Sequence, residues 1–453
     1  MKQEPTIAER WNNRALFGLL WPLMVEQILL VAMGAADTVM VSYVGEFAVS
    51  GVNIVDNINS LLIIAFTALS TGGAVVVSQY IGRRDYKNSK VAAKQLVYVA
   101  TAVSLIMMLT AVVFRRPLIG LLYGNVADDV MGAASVYLLF TGLSYPFLAL
   151  YTSCAALFRA TGNSKIPMRI SLLVNVLSVG GNVVLIFGLG LGVLGAAVST
   201  LVSRIIAAAI AAAMLYRNRN SNVSLSGLFN VLIVGSMIKN ICNVGVPGAV
   251  ESSMFMVGRI LTQRIFVFFG TAAMAANAIT SSINSLSFMP GIAFGIALTV
   301  VAGQCIGAGD YAAAKKMTAK IMKLAYGFLF ALSAMTFIFM DQLVGLFNLS
   351  PEAHELAKSF LRIHCVSMAL GWSMSFILPN ALRAAGDARY VMIVAVVSMW
   401  TVRVSAAYFL VFALGMGPRG VLLAMAADFA VRGVSYFLRW IRGKWKEKRV
   451  ITD

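Results

Sequence analysis

Residues 243–259 read "NVGVPGAVESSMFMVGR", a segment apolar enough for lipid but interrupted by Pro247 and, four residues later, by Glu251. A proline inside a helix has no N–H to donate, and its ring crowds the carbonyl one turn back, here that of Asn243. A carboxylate at membrane depth costs about 2.5–3.5 kcal/mol on insertion scales. Asn243, Pro247 and Glu251 stand at i, i+4 and i+8, so they keep to one helix face. The stretch therefore predicts a hinge with a titratable group beside it. Two roles are open to that group. A protonated Glu251 can donate a hydrogen bond to the freed backbone, or the carboxyl can load and release a cation.

The same device occurs upstream. In "LLWPLMVEQILL" (19–30) Pro22 precedes Glu26, and both lie 225 residues before Pro247 and Glu251. At that offset Gly45 meets Gly270, "INS" at 58–60 meets "INS" at 283–285, and "QYIGRRDY" (79–86) meets "QCIGAGDY" (304–311). "GLGLGVLGAA" (188–197) lies against "ALGMGPRGVL" (413–422), while "FRATGN" (158–163) matches "LRAAGD" (382–387) with a shift of one residue. The chain reads as two homologous halves.

Apolar stretches of membrane-spanning length recur along the whole chain of 453 residues, 60% of them hydrophobic and 12% charged. Twelve spans are expected, at 15–41, 48–80, 95–114, 130–157, 170–189, 195–215, 241–268, 274–305, 321–340, 358–381, 390–413 and 420–440. The predicted fold class is an all-α integral membrane protein with two parallel six-helix repeats, 1–215 and 241–453, joined by a polar cytoplasmic linker at 216–240. Six crossings per half give both halves one orientation. The net charge of +18 does not imply nucleic acid: with the amino terminus inside, 26 of the 36 Lys and Arg fall on the cytoplasmic side. That bias places a multi-pass chain in the cell (inner) membrane with both termini cytoplasmic. The basic tail around Trp440 and Trp445 reads as an anchor on anionic lipid headgroups. Cys154, Cys242, Cys305 and Cys365 lack metal-ligand spacing, and His354 and His364 have no partner ligands in sequence, so neither a metal site nor an organic cofactor is expected. Nor is an enzyme: the sequence has no nucleophile–base constellation. Nothing in it requires more than a monomer.

The Pro-x-x-x-Glu on helices one and seven resembles the multidrug and toxic compound extrusion (MATE) family. So do "DTVMVSYVG" after helix one, Gln-x-Ile-Gly-x-x-Asp after helices two and eight, and "RATGN" after helix four. The resemblance covers essentially the whole chain. It implies two bundles around a central cleft open to one side, and export of amphipathic organic cations in exchange for H+ or Na+ by alternating access. Parallel repeats in transporters place the substrate between the halves. The alternative is a flippase of the same superfamily for an anionic lipid-linked saccharide.

Interior charge locates the candidate residues. The first half holds Glu26, Asp37 and Asp56 against Arg204; the second holds Glu251 and Asp428 against Arg259, Arg264, Arg403 and Arg432. Asp37 breaks the repeat, since its counterpart is Thr262, and it lies three turns (~16 Å) beyond Glu26 on one stripe. The resembling family's amino-lobe cation site adds Asn-x-x-x-Asp on helix five and a threonine on helix six. The matching positions here are Ser178, Asn182 and Thr200, so the second aspartate is missing, and Asn175 on the same face is available to compensate. Cation coupling, with Na+ possible at Asp37, is therefore assigned to Asp37, Glu251, Glu26, Asn182, Thr200, Asn175 and Ser178. Asp56, with Asn57, and Asn277, with Asn284, are expected to line the substrate cleft, although the helix dipole would also favour Asp56 if it stood near a helix start. Asp428, Arg432 and Arg403 are expected to form a salt-bridge network, with Asp428 and Arg432 at i, i+4.

Overall fold

The computed structural model describes residues 7–124, 127–218, 221–228, 230, 232–448 and 450–451. Lys2, Arg219 and Arg449, counted above on the cytoplasmic side, lie outside the described residues. All regular structure among the described residues is helical. Twelve long segments carry the fold: α1 (Asn13–Ser42), α2 (Glu46–Gly82), α3 (Tyr86–Val113), α4 (Asp128–Leu143 with Tyr145–Ala160), α5 (Lys165–Gly188), α6 (Gly192–Arg217), α7 (Gly235–Phe268), α8 (Thr271–Gly307), α9 (Tyr311–Ile338), α10 (Pro351–Ala384), α11 (Ala388–Ala413) and α12 (Arg419–Arg442). All but α7 are long and apolar enough to span a membrane, α4 as a bent pair. The exception is long enough, but it carries Lys239, Glu251, Arg259 and Arg264.

The duplication is visible in the element boundaries. Helices α8 and α9 begin and end 225 residues after α2 and α3. Their caps repeat too: the Asp85 side chain accepts from Asn88 N at 3.0 Å, and Asp310 accepts from Ala313 N at 2.8 Å. These are the aspartates of the paired "GRRDY" and "GAGDY" motifs, so that part of the repeat is N-capping chemistry. Even a local irregularity recurs, since α5 closes in a π-helical turn at Val183–Gly188 and α11 in one at Phe409–Ala413.

The chain divides into two compact units, Phe17–Val246 and Pro247 onward with the residues up to Leu16. The boundaries fall inside α1, five residues before Pro22, and inside α7, at Pro247; the segment 216–240, expected as a linker, lies within the first unit. Much of that linker is committed to the first unit. Tyr98 donates to the Leu228 carbonyl at 2.5 Å, Gln95 donates to Leu232 O at 2.5 Å, and Val234 N donates back to Gln95 Oε1 at 3.1 Å. In that unit α2 meets the start of α7 backbone to backbone. A Cβ on Gly72 would clash with the Ile241 carbonyl and lie 2.9 Å from Gly245 N, and one on Gly245 would lie 3.1 Å from Ala68 O. Small residues allow such close approach in lipid, where no hydrophobic force joins helices.

Two expectations about the surface are corrected here. Trp445 is fully buried and Trp440 nearly so, stacked at 4.3 Å, with Trp445 Nε1 donating to Trp440 O at 2.9 Å and Tyr311 against its edge. The pair therefore clamps the tail onto the second unit and is not available to headgroups. Asp56 is the eleventh residue of α2, beyond the first turn in which a helix dipole acts, so that account of its position fails.

We expect Gly72→Ala to cost about 1–3 kcal/mol, because the new methyl meets backbone that cannot move aside. Gly327→Ala, where a Cβ meets only open space, should leave stability unchanged or raise it by about 0.5–1 kcal/mol. Melting temperatures of the two variants in detergent check this, and a Gly72→Ala as stable as wild type would refute the close contact.

Candidate functional site

Glu26 is 2% exposed and forms an ion pair with Arg159, which ends the second segment of α4. That arginine belongs to "RATGN". The helix stops there in a Schellman turn: Asn163 N donates to Phe158 O at 3.1 Å and Gly162 N to Arg159 O at 2.8 Å, with Gly162 at φ +86°. Only glycine enters that conformation freely, so the motif fixes where α4 ends and leaves Arg159 on its last turn. The second unit repeats the construction. Asp387 N donates to Leu382 O at 3.0 Å, Gly386 N to Arg383 O at 2.9 Å, and Gly386 has φ +91°. Arg383 then pairs with Glu251 at 2.7 Å. Thus two motifs that are far apart in sequence, Pro-x-x-x-Glu and Arg-Ala-x-Gly, are the two partners of one ion pair, formed once in each unit.

This corrects three expectations. Arg159 and Arg383, assigned to cytoplasmic loops, answer interior carboxylates. The charge tally that left Arg204 as the sole base of the first half omitted Arg159. Nor does Glu26 donate to the carbonyl that Pro22 frees one turn back, the alternative open to Pro-x-x-x-Glu, since its Oε2 is buried without a hydrogen-bond partner and its Oε1 faces Arg159. Pro22 and Pro247 both lie within continuous helices.

The second pair is embedded in a longer network. Glu251 Oε1 lies 3.5 Å from Arg432, Arg432 lies 3.8 Å from Asp428, and Asp428 lies 3.9 Å from Arg403 and accepts from Ser398 Oγ at 2.5 Å. The expected association of Asp428, Arg432 and Arg403 is present, extended to Glu251 and Arg383. Asp428 is fully buried and Arg432 is 1% exposed, so the charges are retained only because they neutralise one another.

Asp37 is different in kind. It is half-buried and, among the described residues, forms no ion pair; Asn182 Nδ2 donates to its Oδ1 at 2.7 Å. Asn182 is itself fully buried, and its own oxygen has no partner. The structure thus brings together two of the expected residues. Ser178 lies one turn before Asn182, its hydroxyl buried and unpartnered, and its carbonyl accepts from Ser199 at 2.9 Å. Thr200 is buried and donates to Ala196 O at 3.0 Å. Asn175 instead bonds back to Ser171 O at 2.8 Å, on its own helix.

Asp56 and Arg204 act on Asp37 electrostatically. Asp56 is bonded by Asn59 at 3.4 Å, not by Asn57, and Asn59 accepts from Tyr145 at 2.7 Å. Arg204 donates to Ser144 at 2.7 Å, where α4 bends by 47°. Pro146 explains the bend, as it removes the N–H that would bond Gly142. Asn59 and Ser144 escaped sequence reasoning, although Ser144 just before a helical proline is a legible signal. Asn277 and Asn284 both line a cavity of about 410 Å³ inside the second unit. No group of three or more metal-ligating side chains occurs among the described residues.

The sequence profile of the MatE family matches this chain twice, over residues 22–184 and 246–409. The transporter YisQ of Bacillus subtilis (strain 168) is 30% identical over 441 residues, covering 96% of this chain and 95% of that one. NorM of Thermotoga maritima, described as a probable multidrug resistance protein, is 27% identical over 450 residues, covering 97% and 94%. A crystal structure of a MATE protein in the bent conformation superposes with a TM-score of 0.89 at 20% identity, covering 96% and 95% of the two chains.

Breaking a buried pair by removing one partner costs about 3–5 kcal/mol, since the other charge is left alone. Arg159→Met is therefore expected to lower the melting temperature sharply, and adding Glu26→Gln to recover most of the loss. A double-mutant cycle by thermal unfolding in detergent reads the coupling; additive losses would mean that the two side chains do not interact.

Proposed function

The chain belongs to the MatE family, a family of membrane transporters, and on that premise we propose that it exports amphipathic organic cations in exchange for H+ or Na+, with Asp37 as the coupling carboxylate. Drug extrusion accords with the relatives named as multidrug resistance proteins, which do not favour a lipid-linked saccharide as cargo. The observation that carries the coupling assignment is the contrast among the interior acids. Glu26 and Glu251 are each held by at least one guanidinium, whereas Asp37 has a single amide donor. A charge already neutralised by arginine has little left to offer an ion or a drug. A carboxylate held by a neutral amide keeps its full charge and can exchange one cation for another.

The exchange needs no contact between drug and ion. Either species neutralises Asp37, so loading one displaces the other, and the two linked equilibria couple their movements. The unpartnered oxygens of Asn182 and Ser178 are additional acceptors on α5 for a bound Na+, while a proton needs the carboxylate alone. On this reading Glu26 and Glu251 are structural. The protein works as a monomer in the cell (inner) membrane, in contact with lipid and not with nucleic acid, its termini on the cytoplasmic side as the Lys and Arg distribution directs.

The test is uptake of a cationic dye by proteoliposomes under separately imposed H+ and Na+ gradients. One gradient is expected to drive transport, and Asp37→Asn to reduce it at least tenfold while folding normally. Wild-type transport by Asp37→Asn would overturn the assignment; failure of both gradients would overturn antiport itself.

A further inference from the structure

The cavity in the second unit has an unusual wall for a protein expected to handle cations. Its volume of about 410 Å³ is in the range of small-molecule sites. Phe255, Phe288, Trp372, Phe376 and Phe429 give it aromatic surface, with Trp372 stacked on Phe376 at 5.1 Å and Phe288 5.7 Å from Trp372. The charged groups in the wall are Arg259 and Arg403, and no carboxylate lines it among the described residues.

Three buried groups in this wall have polar atoms with nothing to bond. Arg403, only 8% exposed, has Nε and Nη1 without hydrogen-bond partners, and its contact with Asp428 is a loose 3.9 Å. His364 Nε2 and Thr280 Oγ1 are likewise buried and unpartnered, in residues that are 3% and 2% exposed. Buried polar groups almost always find a partner, because leaving one open costs about 1–3 kcal/mol, and more for a charged one. All three residues belong to the cavity wall, and the Arg403 guanidinium lies over the Phe255 ring at 5.1 Å, so a positive charge is fixed in the aromatic lining.

The backbone is adapted to deliver these side chains. Arg403 lies in a π-helical segment, Met399–Val404, and Trp372 and Phe376 in another, Met368–Ile377. Inserted turns of this kind re-aim side chains and concentrate at functional sites. Trp372 also lies where Gly291 carries no side chain; a Cβ there would clash with the indole ring. The surrounding field has the same sign, since Arg259, Arg383, Arg403 and Arg432 outnumber Glu251 and Asp428 in this unit.

We propose that this cavity binds amphipathic organic anions, that is, an aromatic ring system carrying a carboxylate or sulfonate. The acid group pairs with Arg259 in the positive field that Arg403 adds to the wall, and the ring lies among Phe255, Trp372 and Phe376. The ligand range thus extends beyond cations, through a site contained in one unit.

Equilibrium binding tests this independently of any gradient. The purified full-length protein in detergent is titrated calorimetrically with 2-naphthalenesulfonate, with the ammonium analogue 2-naphthylmethylamine and with the uncharged 2-naphthalenemethanol. The sulfonate is expected to bind at least about tenfold tighter than either, as a charge-assisted pair allows. Arg259→Gln, which breaks no ion pair seen among the described residues, should weaken it several-fold, and Ser281→Phe, which fills the cavity, should abolish it. Gly327→Ala should bind as wild type. The proposal is overturned if the ammonium probe binds as tightly as the sulfonate, if the sulfonate does not bind, or if neither cavity variant changes its affinity.

Discussion

A carboxylate placed deep inside an apolar helix is costly unless a positive charge answers it. In this protein the answer is an arginine on the last turn of another helix, and the device is built twice. Glu26 meets Arg159, and Glu251 meets Arg383. Each arginine is positioned by a Schellman turn whose glycine stops the helix at the required residue. The glutamate in turn stands one turn beyond a helical proline. The pair therefore connects the irregular first helix of each half to the end of the fourth, and much of the motif inventory exists to make that one contact.

The two halves stop agreeing at their interior charges. Asp37 has Thr262 as its counterpart, and Asn182, fully buried, holds it without neutralising it. The second half has no equivalent acid and accumulates arginines instead. There Asp428, Arg432 and Arg403 extend the Glu251 pair into a network that runs from Arg383 to the edge of an aromatic cavity. Duplication supplied two copies of one scaffold. Differences at a few interior residues leave one copy with a carboxylate held only by an amide and the other with an excess of arginines. The selective logic is electrostatic: in a medium of low dielectric a single unpaired charge decides which solutes are attracted.

Where expectation and structure part, the cause is a side-chain contact that hydropathy does not announce. Arg159 and Arg383 read as loop residues because they end apolar runs, yet their side chains turn back toward interior acids. Trp440 and Trp445 read as an interfacial belt, but they stack on each other and on Tyr311. Asn57 is expected beside Asp56 in the cleft wall, whereas Asn59, which accepts from Tyr145 of another helix, is the residue that bonds the aspartate.

The amino-acid sequence by itself determined the helical class, the twelve-helix layout, the duplication at an offset of 225 and the positions of the interior acids. All of these follow from hydropathy, cap and turn chemistry, and register, which act between near neighbours. Tertiary structure alone decided which charges are free. Whether a carboxylate is neutralised depends on a guanidinium more than 130 residues away in the chain, 133 for Glu26 and 132 for Glu251. Local rules cannot bring such groups together; only the packing of whole helices against one another does.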